Sequence, residues 1–178
     1  MRKTILLSGL IIGLLISANF FISEGLFDGN WNKMEIFGFL TMFLAFGIGL
    51  FLSLKKIDAA NYSGHINFSQ AFIASFYIIL LVTVVYTLMW EIDFRSSDGS
   101  FVDAYLDHSK QEMVDRGLSE EEIETNLEQQ KQVMIAYKNE TLVRIGITAS
   151  EIFPVGLIMA LLMSFVVSYL ARRRENLA

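Results

Sequence analysis

Cysteine is absent from the 178 residues, which removes disulfide frameworks, thiolate zinc sites and a catalytic thiol from consideration. Proline occurs once, at Pro154, so the chain has almost no residues that break a helix outright. Positive charge is scarce. The 14 Lys and Arg stand against 19 Asp and Glu, a net charge of −5, whereas a nucleic-acid binder needs a basic face. Histidine is limited to His65 and His108. No P-loop, G-x-S-x-G or H-E-x-x-H pattern occurs in the chain, so the usual signatures of phosphate cradling, serine hydrolysis and zinc proteolysis are missing. Charge is also missing from long stretches: Ile36–Leu54 and Phe68–Trp90 contain none.

Those uncharged stretches belong to a set of four apolar runs: Thr4–Ile22, Ile36–Leu54, Phe68–Trp90 and Ile145–Ala171, the last interrupted only by Glu151. Each is close to the roughly 20 apolar residues that cross a bilayer. One such run can be a buried core helix, but a chain this short cannot bury four in a soluble core. The expected fold is all-α and polytopic: four transmembrane helices in one membrane domain spanning residues 1–178. Met1-Arg-Lys before the first run could open a signal peptide. A run of about 19 residues, with no A-x-A site in "ISANFF", favours a retained anchor.

Lys and Arg in the short flanks set the orientation. Arg2 and Lys3 precede the first run, Lys55 and Lys56 open the connection to the third, and Arg172, Arg173 and Arg174 follow the fourth. The loop Ser23–Glu35 carries only Lys33. Both termini are therefore expected in the cytoplasm, with Lys55–Asn67, which includes Gly64, a short polar loop on that side. Trp31 and Trp90 are expected as belt residues at the outer interface, and Tyr169 near the inner one.

The connection from Glu91 to about Thr141 holds thirteen acidic and five basic residues and is expected outside. "RSSDGS" is turn material. Phe101–Arg116 reads as a helix ended by Gly117. Ser119 and Glu122 have capping-box spacing, with Leu118 and Ile123 at the staple positions, and Ile123, Leu127, Met134 and Tyr137 recur on one face. An acidic helical hairpin over 91–141, too small to hold much core of its own, is the expected insert.

Small residues recur every four positions in the spans: Gly9, Gly13 and Ser17; Ala45, Gly49 and Ser53; Gly156, Ala160, Ser164 and Ser168. Such faces let helices approach closely in lipid, either within one bundle or between copies or partners. "SEIFPVG" adds three more candidates. Glu151 is an acid in an apolar run, costing about 2.5–3.5 kcal/mol at a bilayer centre. Counting about 20 residues back from Ala171 puts it nearer the outer boundary. Pro154 withdraws the N–H that would serve the carbonyl of Ser150 and can kink the helix. Gly156 makes room for a neighbour. Glu151, Pro154 and Gly156 are thus read either as a shaped helix start with an interfacial acid, or as a functional acid for ion or proton handling or partner recognition.

Other candidates are weaker. Placing Gly99 at the sixth position of a calcium loop puts Phe94 and Tyr105 where acids are required, so that motif fails. His65 and His108 fall on opposite sides of the membrane. His108 with Asp107 and Glu112 reads better as a solvated helix face than as a metal site. The polar residues in the spans, such as Asn19 and Gln70, are isolated. No catalytic residue, cofactor site or metal site is assigned.

The "INFSQAF" opening of the third run, the "RGLSEEEIE" segment and "EIFPVGLIMALLMSFVVSYLARRR" together resemble the bacterial membrane-protein family catalogued as domain of unknown function 4199, found mostly in Bacteroidota. The resemblance covers nearly the whole chain. It implies four spans with an external insert and a bacterial cytoplasmic membrane, and it brings no activity, cofactor or catalytic residue. The expected function is non-enzymatic: a protein of the lipid bilayer that binds itself or another membrane protein and does not bind nucleic acid. The alternative is a small transporter or ion-coupled protein using Glu151 beside Pro154.

Overall fold

A computed structural model describes residues 1–60 and 65–175. Among these, the chain forms α1 (Arg2–Phe27), α2 (Trp31–Ala59), α3 (Phe68–Ser96), α4 (Ser100–Asp115), α5 (Glu120–Asn139) and α6 (Thr141–Glu175). Helices α1, α2, α3 and α6 are long and apolar enough to cross a membrane. At about 1.5 Å per residue each exceeds the roughly 30 Å hydrocarbon core. The protein is therefore an all-helical, multi-pass membrane protein with α4 and α5 between its third and fourth spans.

The helices run further than the apolar runs. Lys55–Ala59 continue α2, where the flanking charges pointed to a loop; Gly64 lies outside the described residues. α6 begins at Thr141, before the last apolar run. Local hydrogen bonds explain several ends. Asn30 caps α2 by accepting from Lys33 N (3.1 Å). Asn67 and Gln70 cap α3 reciprocally, Gln70 N to Asn67 Oδ1 (3.0 Å) and Asn67 N to Gln70 Oε1 (3.2 Å), an amide version of the capping box. Gly117, at φ 76°, closes α4: Leu118 N donates to Met113 O and Gly117 N to Val114 O, the paired bonds that a left-handed C′ residue makes possible. The Ser119–Glu122 capping box of α5 is formed in both directions.

The chain divides into two compact units, Met1–Met89 with Ala149–Ala178, and Trp90–Thr148. The first is a four-helix bundle. α1 runs antiparallel to α2, with Ile12 against Gly49 and Ser8 beside Ser53. It runs parallel to α3, with Gly9 facing Leu81 and Gly13 facing Val85. α6 packs on α3 through Phe153–Phe76 and on both α2 and α3 through Gly156. Buried Phe46, Leu50, Ile78, Ile79, Val82 and Ile152 fill the interior. Leu54, Ile57, Ile66, Ala71, Val167 and Ala171 form a second cluster. Leu10, Phe43, Leu88 and Phe165 face outward. A helix apolar on all sides does not choose its inner face by hydropathy, so close approach at small residues decides the rotation.

The second unit has more core than the sequence indicated. Phe94, Val102 and Tyr137 are buried, with Trp90, Phe101, Leu106, Met134 and Ile147 against them. Trp90 is half-buried and has partners inside this unit. Its ring meets Phe101 edge-on at 4.9 Å, and its indole N–H donates to the Tyr137 hydroxyl. On α5, Ile123 and Tyr137 are buried and Leu127 and Met134 partly so, the face marked by their helical spacing. The end of α3 and the start of α6 supply the aromatic and charged groups that an isolated α4–α5 hairpin would lack.

Candidate functional site

The three residues of "SEIFPVG" do not form one site. α6 remains helical through Pro154. Glu151 and Pro154 point out of the bundle, while Gly156 points in. A Cβ on Gly156 would lie 2.8 Å from Ile79 Cγ2 and 3.0 Å from Phe46 Cζ, so glycine there permits direct contact among α2, α3 and α6. Among the described residues Glu151 has neither an ion pair nor a hydrogen-bond partner for its side chain. Measured along α6 from Arg172, it stands about 31 Å away, the thickness of a hydrocarbon core.

The small-residue faces are spent inside this chain. Gly9, Gly13, Ser17, Ser53, Gly156, Ala160, Ser164 and Ser168 are buried, and Ala45 and Gly49 partly so. Their hydroxyls are satisfied locally or across helices. Ser17 donates to Gly13 O (2.8 Å), Ser53 lies 2.6 Å from Gly49 O and 2.7 Å from Ser8 Oγ, Ser75 and Ser164 Oγ are 3.4 Å apart, and Ser168 donates to Phe165 O. The isolated Asn19 sets its amide nitrogen against Gly38, and Gln70 is the α3 cap already described.

Two charged clusters escaped the sequence reading. In the bundle unit, Asp58 ends α2 with its side chain 4% exposed. Its Oδ1 accepts from Ile66 N at 2.9 Å and lies 3.6 Å from His65 Nδ1. Its Oδ2 is 4.0 Å from Arg174 Nη2. A carboxylate out of water needs such donors, and these tie the start of α3 and the end of α6 to α2. In the sequence Asp58 is only an acid after two lysines, with nothing to mark it as buried.

The second cluster holds the other unit together. Arg144 is buried and grips Glu91 with two prongs, Nε to Oε2 at 2.7 Å and Nη2 to Oε1 at 2.8 Å. Its Nη1 donates to the carbonyls of Tyr137 (2.7 Å) and Lys138 (3.1 Å), which end α5. Its guanidinium lies 4.2 Å over the Phe94 ring. Arg95 adds a third donor to Glu91 at 2.7 Å. Planar guanidinium suits this paired geometry and stacks on the ring as well. The α5–α6 corner needs it, because a single extended residue, Glu140, separates the two helices. Both members of the pair border apolar runs, and their contact across 53 residues has no local signature.

Both clusters set a carboxylate among basic side chains, and in the first a backbone N–H joins them. Glu112, weighed with His108, pairs instead with Arg116 at 3.4 Å. Among the described residues no group of three or more His, Asp or Glu side chains is placed to hold a metal.

No curated protein and no solved structure matches the chain. A family model described as a protein of unknown function, DUF4199, matches residues 7–168, from the first turns of α1 to the last turns of α6. The chain is a member of the DUF4199 family.

Proposed function

We propose that this is a non-enzymatic protein of the bacterial cytoplasmic membrane, with both termini in the cytoplasm and the acidic unit outside. It engages a second copy or another membrane protein along the outward face of α6. The observation that carries this reading is the placement of Glu151. The small-residue seams turn inward, whereas the one acid in the last apolar run faces out of the bundle near the end of its span. A carboxylate there gains most from a donor on a neighbouring protein. Phe46 and Ile79 fill the space at Gly156, which favours binding over ion passage through the bundle. The basic flanks at Arg2, Lys3, Lys55, Lys56 and Arg172–Arg174 support the orientation.

The test is photocrosslinking from positions 151 and 158 in native membranes, combined with mass determination of the full chain in mild detergent. Ile158 shares the exposed side of α6. Crosslinks to one protein that weaken in Glu151→Gln are expected. Lipid adducts alone, together with a monomeric mass, would sink the reading.

A further inference from the structure

α1 and α3 touch at Gly9–Leu81 and Gly13–Val85, but a groove of about 970 Å³ lies between their N-terminal halves. Its walls include Leu6 on α1 and Ile73, Tyr77 and Val84 on α3, all exposed at 54–60%. Polar groups enter the lining at one end, from Arg2 and Gln70. We propose that this groove binds one glycerophospholipid, with an acyl chain along α3 and the phosphate at Arg2.

Three observations select that occupant. The groove opens between two membrane-spanning helices, so what fills it comes from the bilayer. Its chemistry changes once along its length, apolar and then cationic, in the order of an amphiphile with an anionic head. From Ala74, level with Arg2 in the Gly9–Leu81 register, to Val84 it follows α3 for about 15 Å, the depth of one leaflet's hydrocarbon, so a chain can lie in it throughout. At the polar end, Gln70 Oε1 already accepts from Asn67 N, which leaves its amide N–H groups to join Arg2 at a phosphate oxygen. Arg2 stands at the end of α1 where the apolar run stops, the level of the lipid headgroups. The inference does not depend on the reading of Glu151.

The experiment is native mass spectrometry of the full chain in mild detergent, offered phosphatidylglycerol or a diacylglycerol with the same acyl chains. The wild type is expected to retain one phosphatidylglycerol about fivefold better than diacylglycerol, the effect of one basic side chain near a phosphate. Arg2→Gln should bring the two lipids level by lowering phosphatidylglycerol alone. Ile73→Trp, which fills the groove from its rim, should lower both, with helical content unchanged by circular dichroism. Wild-type protein that retains no lipid, that holds the two lipids equally, or whose phosphatidylglycerol survives both substitutions would overturn the proposal.

Discussion

Arg144→Ala should loosen the unit formed by Trp90–Thr148 while leaving the four-helix bundle folded. The Arg144 side chain is 5% exposed and that of Glu91 15%, so water replaces little of what the guanidinium supplies. Removing one member of a buried pair costs about 3–5 kcal/mol when the other charge is left unpaired; Glu91 keeps its bond to Arg95, so about 2–4 kcal/mol is expected. The carbonyls of Tyr137 and Lys138 lose a donor in the same step. That loss is not added separately, since contributions within one network do not sum. Arg144→Lys keeps the charge but not the fork, and a loss of about 1–3 kcal/mol is expected. The double variant Arg144→Met/Glu91→Gln should lose at least 1 kcal/mol less than the sum of its single changes, roughly the coupling found within such networks. Amide hydrogen exchange on the full chain in lipid nanodiscs reads this directly. At about 1.4 kcal/mol per tenfold, Arg144→Ala should speed exchange in the last turns of α5 by about thirtyfold or more. A change below about tenfold there, or equal loss of protection in α1 and α2, would refute the assignment of Arg144 as the residue that ties the α5–α6 corner.

Asp58→Ala should destabilise the protein by about 1–3 kcal/mol, because the buried N–H of Ile66 loses its acceptor. Asp58→Asn, whose carbonyl can still accept from it, should lose less; equal falls in thermal midpoint would show that the Ile66 bond is not the important one. At Glu122 the carboxyl is held below its usual value, first by the Ser119 hydroxyl and then by the Ser119 N–H. Protons therefore bind more weakly in the folded cap than in the unfolded chain. The cap's contribution is present above the ordinary carboxylate range and is lost as pH falls through the lowered value. Ser119→Ala should remove about 1 kcal/mol of cap stability and flatten this pH dependence of amide exchange at Glu120–Ile123. Gly156→Ala should cost about 1–3 kcal/mol by overpacking against Ile79 and Phe46. Gly25→Ala meets nothing within 4 Å and should gain about 0.5–1 kcal/mol; thermal denaturation in one detergent should separate the two in sign.

Much of the fold is legible locally. The four spans and the α4 and α5 helices follow from hydropathy runs and from the end and cap signals at Gly117 and Ser119, because such signals act over a few residues. What the sequence did not show has the same cause. Lys55 and Lys56 read as a loop start, yet α2 carries them to Ala59, since charged residues are good helix formers once outside the apolar core. Trp90 reads as a belt residue because of its position at the end of a run. It packs in an aromatic core that exists only when α3, α4 and α5 come together.

The sequence alone determined that the chain crosses a membrane four times and where the insert falls, because crossing depends on the length of an apolar run and helix starts depend on near neighbours. Tertiary structure alone decided which faces turn inward and which charges meet. Helices apolar on every side show no preferred face until small residues such as Gly9, Gly49 and Gly156 find close neighbours. The pairings of Glu91 with Arg144 and of Asp58 with His65 and Arg174 arise from three-dimensional proximity. The packing also decided that the face of α6 carrying Gly156 turns inward and the face carrying Glu151 outward.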